Sequence, residues 1–195
     1  MDPAALPDIQ ANILDRLRSG LPAYLTYHHA GHTLDVVTTA LDLARQEGIG
    51  EADARLLHLA ALYHDTGFLE TYTGHEEVSC AIARQELPGY GLESGQIAVI
   101  CGLIMATKVP QRPQTKLEEI ICDADLDYLG RDDFFPIADS LYRELRSLNR
   151  VDSVDAWNQL QVSFLENHRY FTPTSNRRRQ EGKCRHLEAI RQQLR

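Results

Sequence analysis

Cysteine is scarce and unpaired in this chain. Cys80, Cys101, Cys122 and Cys184 stand far apart, and no two form a CxxC pair. That spacing argues against a disulfide framework or a paired-cysteine zinc knuckle, and predicts buried thiols in a reducing cytoplasm. Long apolar runs are missing too, since none approaches the ~20 residues that cross a bilayer. The opening "MDPAALPDIQ" has neither the basic start nor the apolar stretch of a signal peptide, so the expected location is cytoplasmic, away from membranes. Net positive charge is also absent. The balance is −8 and the isoelectric point about 5.4, which disfavours nucleic acid as a partner. No sustained period-two alternation, internal repeat or low-complexity tract occurs.

The chain does have a globular composition, with 43% hydrophobic and 25% charged residues in 195 positions. That length buries a real core in one domain, 1–195. Nearly every segment has helical period. Stripes run through Ile9, Ile13 and Leu17; through Leu34, Val37, Leu41 and Ala44, ending at Gly48 and Gly50; and through Ile97, Ile100 and Ile104. Others follow at Leu117, Ile120 and Ala124; at Phe134, Ala138, Leu141 and Leu145; at Val154, Trp157, Leu160 and Phe164; and at Cys184, Leu187, Ile190 and Leu194. The stretch "ARLLHLAALYHD" is apolar almost all round, as a helix in the middle of a bundle would be. Segments 87–95, 109–113 and 171–176 are predicted loops from their Pro, Gly and Ser content. The basic run "NRRRQEGKCR" (176–185) is predicted as a solvated helix face. The fold class is all-α, a bundle of eight or nine helices.

Three elements carry chemistry. "YHHAGHTLDVV" (27–37) places His28 and His32 four apart, on one face if the stretch is helical, and turns His29 away to solvent. "LHLAALYHDTGF" ends an apolar helix on His64 and Asp65, where a buried charge needs a compensating partner. "IICDADLDYLG" brings Asp123, Asp125 and Asp127 out of a buried helix, with Asp125 one turn from Ile121. Two imidazoles and one or two carboxylates make a mixed nitrogen and oxygen set suited to first-row divalent metals. Each comes from a different predicted helix, the way bundle cores assemble metal sites.

The order His32, His64–Asp65, Asp125 resembles the HD-domain metal-dependent phosphohydrolases, an all-helical superfamily with an H…HD…D ligand pattern. The resemblance covers about residues 24–130, leaving 131–195 as C-terminal helices expected to pack on that core. It implies His32, His64, Asp65 and Asp125 as ligands of a divalent metal (Mn, Fe, Ni, Co, Zn or Mg), with Asp125 in the family's "AD-L" slot. It implies His75 and Asp123 as members of a second metal site or as residues standing behind the ligands. Thr107 sits where binuclear members often carry a further histidine, which favours one tightly held metal.

The opening stretch is also similar to the "YHN..H..DV" signature of cyclic-nucleotide phosphodiesterases, with His29 in place of Asn. That likeness implies His28 as a general acid on the leaving oxygen, and Asp65 as the group that orients or accepts a proton from the attacking water. Lys108 and Arg112 are candidates for holding substrate phosphate. The expected function is hydrolysis of a phosphate ester of a small nucleotide-like molecule by a metal-activated water. The rival expectations are a ligand-binding regulatory module without turnover and a di-iron HD-type oxygenase.

Overall fold

A computed structural model describes residues 5–194. Among them are nine α-helices and no strand, as the helical periodicity predicts: α1 (Ala5–Gly20), α2 (Ala30–Gln46), α3 (Glu51–Tyr63), α4 (His75–Glu86), α5 (Ser94–Ala106), α6 (Lys116–Asp125), α7 (Phe134–Ser147), α8 (Val154–Asn167) and α9 (Pro173–Gln193). Short 3-10 turns follow α3 (Thr66–Leu69), α4 (Leu87–Tyr90) and α6 (Asp127–Gly130). The residues form two compact units, one of 5–22 with 28–125 and one of 23–27 with 126–194.

In the first unit α3 is central. It packs on α2 and α5, while α2 also packs on α6 and α4 on α5. Leu57, Leu59, Leu62 and Tyr63 are fully buried, so the all-round apolar stretch is an interior helix. Each such leucine contributes about 1.5–3 kcal/mol of burial. The Tyr63 hydroxyl donates to Glu86 at 3.0 Å, and Glu86 in turn accepts from Arg16 at 2.6 Å, tying α3, α4 and α1 together. Burial, reinforced by the Glu86 charge, pushes the Tyr63 phenol well above its ordinary range.

The buried face of α2 differs from the expected stripe. Val36, Val37, Ala40, Leu43 and Ala44 face inward, and Leu34 is exposed. A polar residue, Thr33, takes the inward position there, which a hydrophobic count does not see.

The second unit departs further. In α8, Val154 and Leu160 are exposed while Asn158 and Gln161 are buried, joined by a 3.2 Å side-chain hydrogen bond. In α9, Cys184 is exposed and Leu194 largely so. The inward face carries Lys183, His186 and Ile190 instead. The basic run is therefore not wholly solvated. Lys183 is buried with its ammonium donating to the His168 carbonyl, and Arg179 pairs with Asp127 at 2.7 Å. Nor is 171–176 all loop, because α9 begins at Pro173, with the Thr172 hydroxyl accepting from the Ser175 amide at 3.1 Å. Proline at the first helical position loses no hydrogen bond.

Close packing of α9 on the 3-10 turn 127–130 depends on glycine. A Cβ on Gly182 would lie 2.1 Å from the Gly130 carbonyl oxygen. Cys80, Cys101 and Cys122 are buried free thiols, as expected, and Cys184 is the exception. No helix among the described residues is long and apolar enough to cross a membrane.

Candidate metal centre

α2 begins at an unusual cap. The His29 ring Nδ1 accepts from the Gly31 amide at 2.9 Å and the His32 amide at 3.3 Å, filling the place that Ser, Thr, Asp or Asn commonly takes. His29 is exposed, as expected, but it has this structural task. Asn is itself a favoured cap, so the departure from the phosphodiesterase signature exchanges one cap for another. Capping starts the helix so that His32 falls on its first turn, facing inward.

His64 is the C-cap of α3 and Asp65 the residue that leads into the next 3-10 turn. The His64 Nδ1 donates to the Ala61 carbonyl at 2.8 Å, which leaves Nε2 with its lone pair toward the interior. Ser79 of α4 fixes the same turn from both sides. Its hydroxyl donates to the His64 carbonyl at 2.7 Å and accepts from the Gly67 amide at 2.8 Å. Gly67 is required there, because a Cβ would come within 2.0 Å of the His75 carbonyl oxygen. Asp125 ends α6.

These elements meet. His32 Nε2 lies 3.2 Å from Asp125 Oδ1 and 3.5 Å from Asp65 Oδ2, and His64 Nε2 lies 3.2 Å from Asp65 Oδ2 and 3.6 Å from Asp125 Oδ1. The ligand-type atoms of His32, His64 and Asp125 are all within 4.8 Å of one another. Metal–ligand bonds of about 2.1 Å set neighbouring ligand atoms about 3.0–3.4 Å apart, so the spacing fits one small cation.

Two of these atoms, His64 Nε2 and Asp65 Oδ2, are buried without a hydrogen bond of acceptable geometry. Leaving buried polar atoms unsatisfied is costly unless another group answers them. The residues fit a divalent metal on that observation.

The electrostatics agree. Burial alone would raise Asp65, yet the His64 imidazole, with smaller effects of His28 and His32, holds its carboxyl well below the usual range. Burial is likewise overcome at Asp125, which hydrogen bonding to His32 and His64 brings to about 2. His64 is drawn well above its ordinary value, against burial, by the Asp65 charge and by Asp125. The carboxylates and imidazoles of the cluster thus favour a positive charge among them.

The other expected residues are placed as follows. His75, the first residue of α4, points Nε2 at the second oxygen of Asp65, Oδ1, at 3.5 Å, while its Nδ1 is 3.4 Å from the Tyr72 carbonyl. Neither the fully buried Asp123 nor Asp65 belongs to the set His32, His64 and Asp125 whose ligand-type atoms all lie within 4.8 Å of one another, but Asp65 stands beside that set through the two histidines. Thr107 is buried and caps α5, its hydroxyl donating to the Ile104 carbonyl at 2.8 Å. Lys108 is half-exposed and pairs with Glu77, and Arg112 is exposed between α5 and α6.

His28 is partly buried beside the cluster, its ring centroid 6.0 Å from that of His32 and 4.3 Å from that of Phe68. Neither Phe68 nor Ser79 stood out in the sequence. The only signals were their places three residues after Asp65 and four after His75.

Two imidazoles and two carboxylates brought together at helix ends make a candidate metal site of the kind helical bundles build. Residues 30–127 match the HD domain, and the chain belongs to that family. The chain is also similar to the crystal structure of a predicted HD superfamily hydrolase from an uncultured Thermotogales bacterium. The TM-score is 0.62 and the identity 19%, over 97% of this chain and 91% of that one. At that identity the likeness is one of fold. Comparison with curated proteins yields no match.

Proposed function

We propose that this chain is a metal-dependent phosphohydrolase acting on a phosphate ester of a small, nucleotide-like molecule. The observation that carries the reading is the pair of unsatisfied buried atoms, His64 Nε2 and Asp65 Oδ2, facing His32 and Asp125. His32, His64, Asp65 and Asp125 would hold a divalent ion, which when bound supplies Lewis acidity to a phosphoryl oxygen and acidifies a water to a pKa near 7.

The chain's own groups do the rest. The Ala61 carbonyl keeps the His64 ring in the tautomer that presents Nε2. Asp65, held low, is a weak base, so its task is to accept a hydrogen bond from the attacking water and orient it. His28 stands outside the ligand atoms and is the group that would protonate the departing oxygen. His75, on the other Asp65 oxygen, is the residue that would help hold a second ion, with Asp123 behind the ligands. Lys108 would reach a substrate phosphate only by leaving Glu77, and Arg112 from its exposed place.

The test is a panel of nucleoside monophosphates, cyclic nucleotides and synthetic phosphate esters, assayed after metal removal and reloading with Mn, Ni, Co, Mg or Zn. Hydrolysis dependent on one of these ions is expected. Stoichiometric nucleotide binding without turnover under every metal would replace the reading with a regulatory module. Two irons per chain with dioxygen consumption would replace it with an oxygenase.

A further inference from the structure

His28 precedes the cap of α2, so no helical backbone fixes its ring. Two aromatic rings lie against it, and its charge also acts on Asp65. The Phe68 ring lies 4.3 Å away with planes 30° apart, and Tyr72 stands edge-on at 6.2 Å. Phe68 also stacks on His75 at 3.9 Å and 19°, and meets Tyr72 at 5.3 Å. Phe68 is itself buried and held tightly. Its amide donates to the Asp65 carbonyl at 3.1 Å, and the preceding Gly67 is pinned by Ser79 and by the close approach of the His75 backbone. One short turn therefore carries both Asp65, in the cluster, and the ring against which His28 rests.

We propose that Phe68 is a positioning residue: its ring, anchored to the Asp65 turn, sets the orientation of the His28 imidazole relative to the metal centre. The inference rests on the reading of His28 as proton donor to the leaving oxygen. A tilted ring contact at 4.3 Å favours one orientation over others without forming a hydrogen bond. A leucine in place of Phe68 keeps apolar volume but offers no flat face, so His28 would lose one of the constraints on its orientation and deliver its proton less often. Tyr72, packed edge-on against both rings, limits His28 from another side but is not anchored to the Asp65 turn.

The experiment compares two substrates on the Mn-loaded protein. p-Nitrophenyl phosphate releases an oxygen that leaves readily without a proton, whereas phenyl phosphate releases one that needs protonation. His28→Ala is expected to lower kcat on phenyl phosphate far more than on p-nitrophenyl phosphate. Phe68→Leu is expected to do the same more mildly, by about 3- to 10-fold on phenyl phosphate, with metal content unchanged. Phe68→Tyr, which keeps the ring, should restore the wild-type ratio. In the His28→Ala background, Phe68→Leu should have no further effect.

If His28→Ala lowers both substrates equally or neither, or if the wild type turns over neither ester, the underlying reading fails and takes the inference with it. If His28→Ala is selective while Phe68→Leu slows both substrates alike, the inference alone is overturned. Should Phe68→Leu not fold, Phe68→Met, another ringless apolar side chain, is measured under the same criteria.

Discussion

Asp65 and the partly buried Asp125 in the first unit and the buried Asp127 in the second are carboxylates whose charges are answered differently. Asp127 accepts from the Arg179 guanidinium at 2.7 Å, with Arg131 3.8 Å from its other oxygen. Those partners are always charged, so the Asp127 charge is answered within the protein, although its Oδ2 is buried without a hydrogen bond. Asp65 and Asp125 meet only imidazoles among the described residues, and imidazole is charged only when protonated. A carboxylate with an arginine is built for structure. Carboxylates that share histidines have no permanently charged partner, which is the setting the proposed cation would complete.

The largest expected effect comes from Asp65→Ala. Removing a ligand-type oxygen from the cluster should lower metal affinity by more than ~100-fold and abolish turnover, both read on the same preparation by metal analysis and the ester assay. Retained metal with lost turnover would mean that Asp65 serves orientation alone.

Arg179→Ala should act only on stability. It leaves the Asp127 carboxylate without its closest partner, at a cost of about 1–3 kcal/mol in urea unfolding, with metal uptake unaltered. A change in metal uptake would break the contrast between the two kinds of carboxylate.

The pH dependence separates the two units further. Burial, aided by the Lys183 charge, lowers His168 from 6.5 to about 3. Between those values the unfolded chain binds a proton that the folded one refuses. The contribution is therefore complete above pH 6.5 and is lost as pH falls toward 3. Asp125, lowered from 3.8 to about 2, contributes above pH 3.8 and loses its contribution as pH falls through about 2. Urea unfolding at pH 7, 5 and 4 should show a decline that His168→Gln flattens; an unchanged slope in that variant would place the titration elsewhere. The smallest effect is expected of Lys108→Ala. Its pair with Glu77 is exposed and screened by water, so thermal unfolding should barely move.

How far the sequence could be read follows the same division. α3 and the clustering of His32, His64 and Asp125 were legible because their signals are extreme: an interior helix apolar on every side, and His and Asp residues at positions where burial is otherwise expensive. α8 and α9 were misread because Asn158, Gln161, Lys183 and His186 hold the buried face while Val154, Leu160 and Cys184 stand outside. Such residues go inside only because particular partners satisfy them, as His168 does for Lys183 and the Leu129 carbonyl for His186 at 3.0 Å. Hydrophobic periodicity carries no record of those partners. Ser79 and Phe68 were missed for a related reason: each acts through geometry across a turn, and neither residue type is unusual where it stands.

The central claim is that His32, His64, Asp65 and Asp125 hold a divalent cation. The most direct measurement is calorimetric titration of Mn²⁺ into chelator-treated protein, repeated in buffers of different ionisation enthalpy. The account predicts saturable tight binding with release of protons, because metal ligands bind in their deprotonated forms. Absence of binding, or binding of equal strength in Asp65→Ala, would contradict it.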